Sequence, residues 1–317
     1  MTSQIPEDIF TADVLDWLLA GDPAIRWQVL RDLVHGPDAE ILATRARVAT
    51  EGWGATLLSH QGDDGRWGKG LYGPKWISTT YTLLLLMRLG LPRDNVGAQA
   101  GCRLLLDRGH YQDGGINFFA SLKHSETCVT GMVLSLLSYF QIEDSRLEIL
   151  VDWLLHQQMA DDGWNCRSFL GAHHSSFHTT ISVLEGLRFF ELYRPYRAAD
   201  IQKARIGAIN FLLAHQLYRS DRTGNIVDSR MTRFSFPPRW RYDVMRALDF
   251  LREVEWPAHD SRLDDALSLL LKKRGADGKW PLQNRHSGRT YFEMEKVGSA
   301  SRWNTLRALR ILQWRTQ

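Results

Sequence analysis

Apolar residues recur along this chain at three- and four-residue intervals in blocks of ten to fifteen, and each block is closed by glycine, proline or a polar cluster. That period is helical and nowhere alternates as a strand would. Phe10 to Ala20 forms the first block, stopped by Gly21. Pro23 opens the next in its first turn, Gly36-Pro37 ends it, and a third runs from about Asp38 to His60. Beyond that point the pattern repeats. Leucine pairs close helices at Leu57, Leu104, Leu154, Leu212 and Leu269. Turn glycines follow at Gly65, Gly114, Gly163, Gly224 and Gly278, separated by 49, 49, 61 and 54 residues. A second, more apolar helix starts near Trp76, Glu126, Phe177, Arg239 and Ser301. Roughly twelve helices in six hairpins result. The second helices are apolar nearly all round, whereas helices such as 201–213 are one-faced, so an inner ring wrapped by an outer ring is expected.

The turns carry a sharper signature. Gln61 to Trp67 reads Q-x-x-x-G-x-W, with partial copies at Asp161 to Trp164 and Ala276 to Trp280. Glycine permits the tight turn, carboxylates cap a nearby helix end, and tryptophan packs over the hairpin. Candidate chemistry gathers at the starts of two inner helices. Cys128 and His178 stand fifty residues apart, one repeat length, and Glu126 lies two residues before the cysteine. A Glu/Cys/His set with one open position suits a catalytic zinc, Zn(2+), more than a structural one. Such a zinc either activates a substrate thiol or generates hydroxide from water. His124, His174 and Cys166 are rival or supporting groups, and Cys102 reads as packing. From Asp228 to Asp243, Arg230, Arg233, Arg239 and Arg241 interleave with Phe234, Phe236, Trp240 and Tyr242, a pattern able to grip an anionic head beside an apolar tunnel.

These turns and this site resemble the terpenoid cyclase and protein prenyltransferase β-subunit superfamily over about residues 57–315. The resemblance implies an all-α, (α/α)6 toroid with a central apolar cavity. Residues 1–60 would complete the ring, making 1–317 a single domain. A class II cyclase would need D-x-D-D and an ionising synthase D-D-x-x-D, and neither motif occurs. The prenyltransferase branch matches through E-T-C at Glu126 to Cys128, H-T-x-x-x-x-x-G-L from His178, and Lys123 at the diphosphate position. Glu126, Cys128 and His178 would thus hold zinc; Lys123, His124 and His174 would serve catalysis. Trp76, Phe177, Arg230, Arg239, Trp240, Tyr242 and Trp303 would face an apolar, isoprenoid-like substrate. Prenyl transfer is the implied activity; zinc-assisted hydrolysis or lysis, or a non-catalytic hydrophobic-ligand toroid, are the alternatives. A partner subunit cannot be inferred.

Composition narrows the classes. A net charge of +3 over 317 residues gives no general pull toward nucleic acid or an anionic membrane. No apolar run is long enough for a membrane span, and the polar start together with three unpatterned cysteines suits the cytoplasm. Twelve tryptophans suit an aromatic-lined cavity.

Overall fold

The computed structural model describes residues 10–317, and among these every regular element is a helix. Thirteen α-helices run in order: α1 (Ala12–Leu19), α2 (Pro23–Val29), α3 (Asp38–Ala46), α4 (Gly52–Leu58), α5 (Thr79–Leu89), α6 (Val96–Gly109), α7 (Thr127–Tyr139), α8 (Arg146–His156), α9 (Phe177–Tyr193), α10 (Ala198–Ala214), α11 (Val244–Glu253), α12 (Asp264–Lys272) and α13 (Arg302–Thr316). The helix expected over 38–60 is broken at Arg47–Glu51. Asp22 explains the break: one carboxylate oxygen caps α2 at the Ala24 N–H (2.9 Å), and the other takes the Trp53 N–H (2.8 Å), fixing a new start for α4. The inner helix expected near Arg239 begins only at Val244, because Pro237 and Pro238 hold the preceding segment out of helix and Asp243 caps α11 at the Arg246 N–H.

Six inner helices close a ring. Gln28 and Trp27 of α2 donate to the Arg88 and Leu89 carbonyls of α5; α5 packs on α7 and α7 on α9; Glu185 of α9 pairs with Arg246 of α11; α11 packs on α13, and α13 returns to α2. The outer layer is α1, α4, α6, α8, α10 and α12. Inner helices run in one direction, so their N-terminal residues meet at one mouth and their C-terminal residues at the other. The protein is therefore an all-α toroid of helical hairpins. No helix among the described residues is long and apolar enough to cross a membrane.

A repeated set of hydrogen bonds ties each outer helix to the following inner one. The indoles of Trp67, Trp164 and Trp280 each donate to the carbonyl ten residues earlier, Leu57, Leu154 and Leu270. Their backbone N–H groups donate to the hydroxyls of Thr79, Thr180 and Thr305 in the inner helix. Ile116 stands at the same place in the second turn and keeps only the backbone half, to Thr130. The motif glutamine bridges two repeats: Gln61 donates to the Gly65 and Gly97 carbonyls, and Gln158 to those of Asp162 and Ala204. In this third turn the left-handed residue is Asp162 (φ 66°), so the structure shifts the turn position by one from the expected Gly163. The expected capping carboxylates hold loops instead: Asp113 and Asp161 each bind the serine, Ser125 and Ser175, that leads into the next inner helix.

Helices α7 and α9 lie against each other through Gly131 and Gly186. A Cβ at Gly131 would stand 2.8 Å from the Ser182 carbonyl oxygen, and one at Gly186 would overlap the Gly131 carbonyl. Gly186→Ala is expected to push the two helices apart and lower stability by about 1–3 kcal/mol, measurable by urea denaturation.

Candidate functional site

The N-terminal mouth is built from the start of α9, the segment 228–243 and the segment 284–287. They enclose a cavity of about 220 Å³. His178 enters from the first turn of α9. Its Nδ1 accepts the Tyr242 backbone N–H at 2.8 Å, which leaves Nε2 as the protonated nitrogen. Its ring lies edge-on to Trp240 at 5.2 Å. His286 faces it, with Nε2 3.1 Å from Ser235 Oγ and Nδ1 near the Asn284 amide. The Ser235 hydroxyl is itself bound to Asp243 at 3.0 Å, so Ser235 is engaged as part of the α11 cap and is not poised as a nucleophile.

Charge in this cavity is predominantly positive. Arg230 pairs with Asp228, and Asp243 is occupied by Ser235 and the Arg246 N–H. Arg233 and Arg241 make no ion pair among the described residues; Arg241 lies on the Trp240 ring at 4.6 Å. Burial first, then the charges of Arg241 and Arg246, depress the His178 pKa to about 4; burial, then Arg241 and Arg239, do the same to His286. Both rings are neutral at pH 7. The sign follows: a folded-state pKa below the usual 6.5 stabilises the fold above pH 6.5 and loses that contribution as pH falls toward 4. The expected observation is imidazole resonances of His178 and His286 that stay unshifted from pH 8 to 5.5.

Beside this cavity lies a narrow aromatic pocket lined by Trp76, Phe236, Tyr291, Phe292 and Met294, with Arg285 shared between the two. Its free volume is about 40 Å³, little more than one water molecule. Trp76 is buried, donates to the His286 and Ser287 carbonyls, and lies edge-on to Tyr81 at 4.7 Å. Two cations flank it without an ion pair among the described residues. Arg239 lies 5.5 Å from its ring, with burial lowering the guanidinium pKa to about 10, and Lys75 Nζ lies 5.7 Å away, reaching Tyr72 and Trp240 as well. In the sequence Lys75 is marked only by its adjacency to Trp76 in G-P-K-W.

The expected zinc ligands are not brought together. Among the described residues no three His, Cys, Asp or Glu side chains are grouped to hold a metal ion. Cys128 instead meets Cys166, whose Sγ accepts the Cys128 backbone N–H at 3.0 Å and the Thr179 hydroxyl at 3.5 Å. Hydrogen bonding from Cys128 lowers the Cys166 thiol pKa, and the same bond together with burial raises that of Cys128. Glu126 precedes α7 with Oε2 buried and unbonded, and burial raises its pKa. His178 is committed to Tyr242. These residues do not fit a zinc in this arrangement, because repeat-matched positions at helix starts share a mouth without sharing a point.

Other expected site residues scatter. Lys123 is exposed in a separate, open groove with Tyr111, Phe118 and Phe119. His124 lies against Phe169, ring centroids 3.5 Å apart and tilted by 36°, and exposed His174 bonds Arg222. His174 precedes α9, which starts at Phe177, and shares no helix face with His178. Phe177 packs outward on Phe211 and His215, and the Tyr242 hydroxyl is spent on the Leu217 carbonyl, so both rings are core. Trp303 is buried, stacked on Phe236 at 4.0 Å. Arg230, Arg239 and Trp240 do reach the mouth.

The expected central apolar cavity is divided. Phe236 borders both the aromatic pocket and a larger, polar chamber behind it, so the segment 233–242 plugs the ring.

No family model matches this sequence, and no curated protein matches it. Solved structures do. A type II terpene cyclase, MstE from Scytonema, in complex with geranylgeranyl dihydroxybenzoate, is 18% identical with a TM-score of 0.48, covering 92% of this chain and 86% of that one. A protein from Actinoplanes is 17% identical with a TM-score of 0.48, covering 93% and 90%, and the apo cyclase MstE is 18% identical with a TM-score of 0.47, covering 92% and 86%.

Proposed function

We propose that the N-terminal mouth binds a diphosphate ester with an apolar, isoprenoid-like tail, and that the protein transfers its prenyl group to an acceptor. One observation carries this reading: the 220 Å³ cavity is lined by four arginines against two carboxylates, and two of those arginines, Arg233 and Arg241, make no ion pair among the described residues. Guanidinium forks held without counter-charge match the oxygens of a diphosphate. His178 Nε2–H adds a neutral donor. Arg239 and Lys75, held only by ring faces, extend the positive lining toward the aromatic pocket. There Trp76, Phe236 and Tyr291 offer faces to an allylic tail and to the positive charge that develops as diphosphate departs. A tail enters by displacing Tyr291, Phe292 and Met294, which all sit on the connection between α12 and α13.

A second reading, a carrier of such molecules without chemistry, is favoured by the histidines. Both His178 and His286 have the ring nitrogen that would accept a proton already occupied, so neither deprotonates an acceptor. Titrating farnesyl diphosphate calorimetrically is expected to give saturable binding that Arg241→Gln weakens about tenfold. Diphosphate release that requires an added thiol or amine supports transfer, and binding without release supports the carrier. No binding at about 1 mM, or binding unchanged by Arg241→Gln, overturns both.

A further inference from the structure

The mouth at the other end of the ring has the makings of a separate site. It opens into a chamber of about 360 Å³, nine times the free volume of the aromatic pocket, and Phe236 stands between them. Its floor is an ion network spanning five helices or their extensions. Glu185 binds Arg88 and Arg246 (2.9 and 2.7 Å), and Asp249 binds Arg307 and Arg310, with Arg310 reaching on to Asp32 at 3.0 Å. Fully paired charges in a ring interior are weak stabilisers; apolar side chains of equal volume would hold the helices as well. A polar chamber where the repeat pattern calls for leucine needs a reason other than stability.

The rim supplies one. Arg45 and Arg93 make no ion pair among the described residues: Arg45 spends its donors on the Gly90 carbonyl and the Tyr139 hydroxyl, and Arg93 rests on the Tyr139 ring at 5.5 Å. Arg31, exposed and paired with Asp32, covers the Trp27 ring at 4.5 Å, and Arg45 lies 5.3 Å from the same ring. The chamber is lined by seven arginines against five carboxyl groups, a surplus of two positive charges even with every carboxyl ionised. The C-terminal ends of inner helices point here, and their carbonyls alone would make the mouth negative. The arginines reverse that sign.

We infer that this C-terminal mouth is a second ligand site, for a small organic anion carrying two or three charges, held by Arg31 and Arg93 at the rim of the chamber. Phosphoryl and carboxylate groups share the geometry that arginine forks recognise. The chamber has room for about a dozen water molecules, enough for a compact metabolite and too little for a nucleic acid or a protein segment. This inference stands independently of the diphosphate reading, since it uses none of the same side chains.

The test is calorimetric titration of the full chain at low ionic strength with inorganic phosphate in one arm and citrate in the other. Saturable binding of either is expected, and the arm that binds identifies the group. The Arg31→Ala/Arg93→Ala double variant should weaken it about tenfold, while Arg241→Gln at the opposite mouth leaves it unchanged. Both rim residues are exposed, so the fold should survive, and Arg93→Lys should recover part of the affinity. Three results overturn the proposal: no saturable binding of either anion at about 10 mM, binding indifferent to the double variant, or equal loss in the Arg241→Gln protein.

Discussion

Glu185→Ala is expected to destabilise the protein by about 3–5 kcal/mol, because it leaves Arg88 and Arg246 facing each other in the ring interior with no counter-charge. Glu185 is held by two arginines from two other inner helices, so its loss acts on α5, α9 and α11 together. Its titration carries the same information. Burial alone would raise this carboxyl, yet the charges of Arg246 and Arg88 outweigh it and bring the pKa from 4.5 to about 2. A depressed carboxylate stabilises above its unfolded-state pKa and loses that contribution as pH falls through the folded value. The window is therefore pH 4.5 down to about 2, and the contribution is about 3 kcal/mol. Urea denaturation at pH 7 and at pH 3 checks both statements. Glu185→Ala should show a smaller acid-induced loss than the unaltered protein, and an unchanged midpoint at pH 7 would place the network outside the energetics of the ring.

This network shows what a linear reading misses. Arg88, Glu185 and Arg246 are separated by 97 and 61 residues; the first two sit in apolar runs, L-L-L-L-M-R-L and V-L-E-G-L, whereas Arg246 shares α11 with Asp249, Arg252 and Glu253. A charge inside such a run was the available signal. Only closing the ring shows that the three charges meet. Periodicity recovered the hairpins because a repeat imposes the same burial pattern many times over, and each copy supports the others. Helix starts were less legible where a single side chain acts across a long interval, as Asp22 does for α4. The proposed zinc set illustrates the limit on sites. Equivalent positions in neighbouring repeats share height along the ring axis, but whether their tips converge depends on rotamers and competing partners. Cys166 and the Tyr242 N–H are those partners, supplied by loops whose course the repeat does not dictate. Composition alone singled out the arginine and aromatic segment at 228–243, and Arg230, Arg233 and Arg241 do line the mouth cavity, although Phe177 and the Tyr242 ring are core.

Trp164→Ala should be as damaging as the loss of Glu185, about 3–5 kcal/mol, by a different route. The indole is fully buried, and its Nε1–H donates at 2.8 Å to the Leu154 carbonyl in the last turn of α8, whose other donor is the Gln157 N–H at 3.2 Å. Removing the ring opens a cavity between α8 and α9 and leaves that carbonyl with only its longer bond from the Gln157 N–H. Trp164→Phe separates the two effects: most of the apolar contact remains, the hydrogen bond does not, and the expected cost falls to about 1–3 kcal/mol. The chain already contains a comparison. The second turn has Ile116 at the equivalent place, fully buried, with its backbone N–H on Thr130 and no side-chain donor. Its hairpin closes without the indole, so packing must be the larger part of what tryptophan contributes. Urea midpoints for Trp164→Ala and Trp164→Phe decide the matter. If the phenylalanine variant is as unstable as the alanine one, the donated hydrogen bond, and not the buried ring, holds the hairpin end in place.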